Sequence, residues 1–170
     1  MRSRRAVLAL AVALTAPSVL AFSAGQLFVP TGGHTLRSLP GVEVIIETIP
    51  VPLQRAGLTQ AAVKADLERW LGAGGVTVYQ SQPANPSAAK AYLDLRTTVL
   101  ALRDGSYAVA VQMHVRQTVR SLATESSIVN AATWETGRLV NVAQSDLPRV
   151  RDEIRAMAEE FVAEWKGAHP

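Results

Sequence analysis

The 170-residue chain contains no cysteine. That absence excludes disulfides, thiolate metal sites, a cysteine nucleophile and the lipid-bearing cysteine of a bacterial lipoprotein. Aromatic residues are scarce, three each of Trp, Tyr and Phe, so each large ring marks either core or a binding surface. The three histidines, His34, His114 and His169, are scattered. No Cys/His ligand set arises from them, and neither a metal nor an organic cofactor is implied. No Gly-x-Ser-x-Gly elbow occurs. Gly32-Gly33-His34 lacks the Gly-Lys-Ser/Thr of a phosphate loop. These gaps count against an enzyme, although residues distant in sequence can converge in space.

Long apolar runs are also missing. Ala6–Leu14 spans nine residues and Pro17 follows it, against the roughly 20 residues that cross a bilayer. Arg2, Arg4 and Arg5 precede this run, and Val19-Leu20-Ala21 places small residues at a cleavage position. Residues 1–21 therefore read as an export signal removed after Ala21, with an uncleaved anchor as the other reading. Ser3-Arg4-Arg5-Ala6-Val7-Leu8 loosely resembles a twin-arginine signal, and the general secretory route is preferred. The expected location is periplasmic or secreted, with no stable membrane insertion once the signal is gone.

The signal also carries the charge asymmetry. The chain has 17 basic and 14 acidic residues and a pI near 9.7. Three of the basic residues and none of the acidic ones lie in 1–21, which leaves fourteen of each. A neutral mature chain offers no electrostatic case for nucleic-acid binding.

What is present is alternation. In Ala91–Arg120, Val109, Val111, Met113 and Val115 share one face with Leu93, Leu95, Thr97 and Val99. A two-residue turn at Asp104-Gly105 would set Arg96 beside Met113. A three-residue turn, Arg103-Asp104-Gly105, keeps like beside like and puts Gly105 at the left-handed position. The predicted pairs are Leu95 with Met113, Thr97 with Val111 and Val99 with Val109. The other face is polar at one end. Near the turn, Leu100, Leu102, Ala108 and Ala110 form an apolar patch that is either merely solvated or docks a partner. Asp94 and His114 oppose each other there, an ion pair by default and a catalytic relay only if a serine joins them.

Around this hairpin, Val42–Ile49 reads as a strand ended by Pro50 and Pro52. Glu43 and Glu47 share a face of it, but i and i+4 on a strand are about 13 Å apart, too far to act on one group. Thr59 caps a helix over Gln60–Leu71, with Val63, Leu67, Trp70 and Leu71 on one stripe. Gly72, Gly74 and Gly75 stop it, and Val76–Gln80 follows as a strand parallel to the first. Ala131–Val142 reads as a further strand, with Gly137 marking a bulge or bend. Trp134 within it either packs under the helices or anchors a partner on the open face. Ser145 or Asp146 caps a final helix whose stripe is Leu147, Val150, Ile154, Met157, Phe161 and Trp165. Its acidic outer face excludes a membrane-surface helix.

The reading is a signal (1–21), an extended lead-in (22–40) and one α+β domain (41–170). That domain holds a mixed sheet of four or five strands with two helices on one face, in the order β-α-β-β-β-(β)-α. This order resembles small bacterial envelope domains. These include the lipopolysaccharide-assembly lipoprotein, the amino-terminal domain of TolB and small uncharacterised exported proteins. The Gly41–Val78 segment, the hairpin around Asp104-Gly105-Ser106-Tyr107 and Thr133-Trp134-Glu135-Thr136-Gly137 carry the likeness. It implies an envelope accessory module and hands over no functional residue. The lipoprotein members' cysteine is missing here.

The expected function is a non-catalytic envelope module with a protein partner, docking through Leu100, Leu102, Ala108, Ala110 and Trp134 or through an edge strand. The alternative is a small-molecule or lipid carrier with a pocket between sheet and helices.

Overall fold

The computed structural model describes residues 25–28, 33–37, 39–80, 91–120 and 127–170. The expected signal and the loop read at 81–90 lie outside the described residues. Six strands form one mixed sheet: β1 (Gly25–Phe28), β2 (Val42–Ile46), β3 (Val78–Tyr79), β4 (Ala91–Ala101), β5 (Tyr107–Arg120) and β6 (Ser127–Val142). Their order is β1-β6-β5-β4-β2-β3. β2 is parallel to β3 and β4, and the remaining pairs are antiparallel. The principal helices, α3 (Gln60–Ala73) and α4 (Val150–Ala168), follow the short α1 (Gly33–Leu36) and α2 (Val51–Arg55) in the numbering. The α+β architecture is as expected, with one edge strand more.

The hairpin register is the predicted one. Leu95 pairs with Met113, Thr97 with Val111, and Val99 with Val109. Leu102 N–H donates to Ser106 O at 2.9 Å, closing a three-residue loop in which Gly105 has φ +82°. An L side chain is disfavoured there, so glycine settles the turn and the turn settles which residues go inside. Asp104 adds a brace. Its Oδ1 accepts from the Ser106 N–H and hydroxyl, and these bonds hold its carboxyl below the ordinary aspartate range.

The core lies between the sheet and the helices. Leu93, Leu95, Val109, Val111, Met113 and Val115 face Val63, Leu67 and Leu71 of α3 and Val150, Ile154, Met157 and Phe161 of α4, all buried. The predicted stripe of the last helix is buried along its whole length, from Leu147 to Trp165. Each such side chain contributes about 1.5–3 kcal/mol. Trp70 is only half-buried, at the margin of the core, with the Arg69 guanidinium over its ring at 5.5 Å.

Several local expectations are corrected. The lead-in contains β1, whose Gly25 pairs with Leu139 of β6, and also α1. Pro50 and Pro52 do more than end β2: they open α2, where a missing N–H costs nothing. Neither Ser145 nor Asp146 caps α4. A 3-10 turn over Gln144–Arg149 takes up that stretch, and α4 starts at Val150. At the end of α3, Gly75 has φ +87°, whereas Gly74 is right-handed and is required for a different reason. A Cβ there would lie 2.5 Å from both methyls of Val162, so α3 and α4 cross in contact at Gly74. Thr59 accepts from Ala62 N–H as predicted. β6 begins at Ser127, earlier than expected. Its pairing with β5 slips twice, between Trp134 and Ala132 and between Ala131 and Ile128, and neither slip is at Gly137. Gly137 instead lies opposite Phe28, beside the irregularity in the β1 pairing.

Candidate functional site

The helices cover one side of the sheet, and strand parity places the remaining side chains on the other. This open face carries Glu43 and Ile45 from β2, Glu47 just past its end, and Tyr92, Asp94, Arg96, Thr98 and Leu100 from β4. From β5 come Ala108, Ala110, Gln112, His114 and Arg116, and from β6 Glu135, Gly137, Leu139 and Asn141.

One half of the face is polar. The Arg116 guanidinium grips Asp94 with Nε–Oδ2 and Nη2–Oδ1 distances of 2.6 Å. That fork raises the Arg116 pKa further and allows the Asp94 carboxylate to lie almost wholly buried. Arg96 Nε donates to Glu47 Oε2 at 2.8 Å, on the surface. His114 Nε2 is 4.0 Å from Asp94 Oδ2 and stands across from Glu135 on β6. A relay needs a histidine held by hydrogen bond to its carboxylate and a nucleophile on the other side. Here Arg116 has taken the carboxylate, and the histidine's cross-strand neighbours are Asp94 and Glu135. A shallow cleft of about 230 Å³ opens over Arg96, Gln112, His114, Ala132 and Glu135. Among the described residues, no group of three potential metal ligands occurs.

The other half is more apolar and open, with Thr98 and Asn141 as its polar members. Leu100 is 63% exposed and Leu139 44% exposed, large values for side chains of this kind. Leu100 pairs with Ala108, and Leu139 with Ala110, on the same face. Side chains so paired are about 5 Å apart, so the four form one patch. Leu102, just past the end of β4 at the mouth of the turn, is half-buried. Among the described residues, the third exposed large apolar side chain is Val51, on α2.

Four of the five residues expected in the docking patch are thus near one another, and the fifth is not. Trp134 is 1% exposed and points under α4, edge-on to Phe161 with ring centroids 4.9 Å apart. The residue missed was Leu139. A signal for it existed. Positions 134 and 139 differ by an odd number, so on a continuous strand they face opposite ways. Assigning Trp134 to the core assigns Leu139 to the open face.

Around Trp134 the layer between sheet and helices is filled. Trp134, Phe161, Met113, Met157 and Leu67 occupy it, all under 2% exposed. Among the described residues, one further cleft opens between β2 and α3 and another between α3 and α4. The first, of about 350 Å³, runs beside Val44–Ile46 and Gln60, and the second, of about 270 Å³, lies at Trp70 and Val162.

Compared with known protein families and with curated proteins, the chain shows no match. Among the described residues, no helix is long and apolar enough to cross a membrane.

Proposed function

We propose that this protein is a non-catalytic binding module of the cell envelope, exported to the periplasm or secreted. It works by presenting the open face of its sheet to a protein partner. The observation that carries this reading is the patch of exposed Leu100 and Leu139 with half-buried Ala108 and Ala110, on the side of the sheet that the helices do not cover. Uncovered leucines on a flat sheet cost solubility unless something covers them. The polar half gives such a surface its rim: a fixed ion pair at Arg116–Asp94 and adaptable ones at Arg96–Glu47. A carrier for a small molecule or lipid needs a chamber; Trp134 and Phe161 occupy the layer between the sheet and α4, and the cleft of about 350 Å³ between β2 and α3 is the place such a ligand would have to use.

The chain from Phe22 onward, immobilised and exposed to envelope extract, tests this. One protein is expected to bind it and to bind the Val51→Asp form, whose change lies off the face. Leu100→Asp and Leu139→Asp forms lose it, and the same ranking holds for the purified pair. Equal capture by all four forms contradicts the proposal.

A further inference from the structure

We infer that the partner meets the open face with a basic side chain set beside its apolar residues, and that Glu135 is the residue that selects it. The inference rests on the binding-face reading and names the chemistry that the face takes.

The charges on the polar half of the face are spent unequally. Arg116 is closed on Asp94 through two bonds of 2.6 Å, and Arg96 on Glu47 through one of 2.8 Å. Each of these guanidinium groups already holds a carboxylate. Glu135 is exposed, and among the described residues no cation pairs with it. Its cross-strand neighbour is His114, whose Nε2 lies 4.0 Å from Asp94 Oδ2. A surface whose cations are paired and whose one carboxylate stands open draws a cation and turns an anion away.

The space beside Glu135 suits one side chain. Glu135 lies on the wall of the cleft of about 230 Å³, together with Arg96, Gln112, His114 and Ala132. Sites for small molecules run from roughly 300 to 1,000 Å³ and are mostly apolar. This cleft is smaller, and charged and amide groups form much of its wall. It fits the end of a lysine or arginine delivered by a larger partner, whose N–H groups can donate to the Glu135 carboxylate and to the Gln112 amide oxygen.

β6 links the cleft to the apolar patch. Glu135 and Leu139 are four residues apart on the same face of it, about 13 Å. The open-face position between them is Gly137, which brings no side chain. An extended segment that lays an apolar residue against Leu139 therefore sets the residue four positions away over Glu135.

A peptide of sequence Arg-Thr-Ala-Thr-Leu-Thr-Ala-Thr-Arg has this spacing in either direction. It is titrated into the purified, isotope-labelled protein beside a second peptide with glutamate for both arginines, and amide shifts are followed by NMR. The arginine peptide is expected to shift Gln112, His114, Glu135 and Leu139 and to bind about fivefold tighter than the glutamate peptide. High salt narrows the gap, and Glu135→Lys reverses the preference. Equal affinity for the two peptides, tighter binding of the glutamate peptide, or an unchanged preference in Glu135→Lys overturns the inference. If the peptides bind equally and Leu139→Asp abolishes both, the binding face stands and only the choice of a basic partner fails. If neither peptide shifts any residue of the face, both readings fail.

Discussion

Asp94 and Arg116 meet diagonally across β4 and β5, with both hydrogen bonds of the fork at 2.6 Å and the carboxylate 1% exposed. The pair sits in the middle of the face that water otherwise reaches. It fixes the polar half of that face as firmly as packing fixes the core. Removing one partner strands the other. Arg116→Met is expected to cost roughly 2–4 kcal/mol, reduced from the fully buried case because the guanidinium is partly solvated. Adding Asp94→Asn should restore much of the loss, since a neutral amide is cheaper to leave unpaired. Urea melts of the two variants check this. An additive double variant would show that the pair does not act as a unit.

Trp134 and Phe161 join the sheet to α4 edge to face. Phe161→Ala removes the partner ring and leaves a hole at a fully buried position. The expected loss is about 3–5 kcal/mol, with near-ultraviolet dichroism of the tryptophan falling at the same denaturant concentration as the backbone signal.

Gly74 presses on Val162 where α3 meets α4. Gly74→Ala puts a methyl into that contact and should destabilise by about 1–3 kcal/mol. Gly72, two residues earlier, has open space at its Cβ position. Gly72→Ala should be neutral or stabilising, because alanine favours helix. Thermal melts of the two variants separate a packing requirement from a mere chain stop.

Glu164 supplies a pH prediction. Burial pushes its carboxyl above the ordinary glutamate range, and neighbouring Glu160 pushes the same way, while the Trp134 indole N–H pulls against them. Among the described residues, that N–H finds no well-formed hydrogen bond. A carboxyl with a raised folded pKa holds its proton more tightly when folded. Its contribution is therefore most favourable in acid and declines as pH rises through the carboxylate range. Glu164→Gln should melt higher than the parent at pH 7. The difference should close below about pH 4, where the parent is protonated in both states.

Much of this architecture was legible because its signals are local and periodic. Two alternating runs and one glycine settle the β4–β5 register, and a three-four stripe settles the buried side of α4. What escaped depends on distant partners. β1 shows no periodicity over Gly25–Phe28, and only its pairing with Leu139 makes it a strand. The 3-10 turn before α4 ignores two good capping residues because Leu147 must reach the core. The Asp94–Arg116 fork was hidden because Asp94 seemed to belong to His114, the residue directly opposite. Arg116 lies diagonally from it, two positions further on, and its longer side chain wins the carboxylate. On the open face, the alanine–leucine patch was visible in the hairpin. Its fourth member needed the register of β6, where alternation is blurred by Gly137 and by the slip at Thr133.

The most direct test of the account places a photo-crosslinking amino acid at position 100 or 139 on the open face, or at exposed position 156 on α4, in cells exporting the protein. A single adduct of the same mass from positions 100 and 139, absent from 156, is the result the account predicts. That adduct appearing from position 156 alone, or equally from all three, would contradict it.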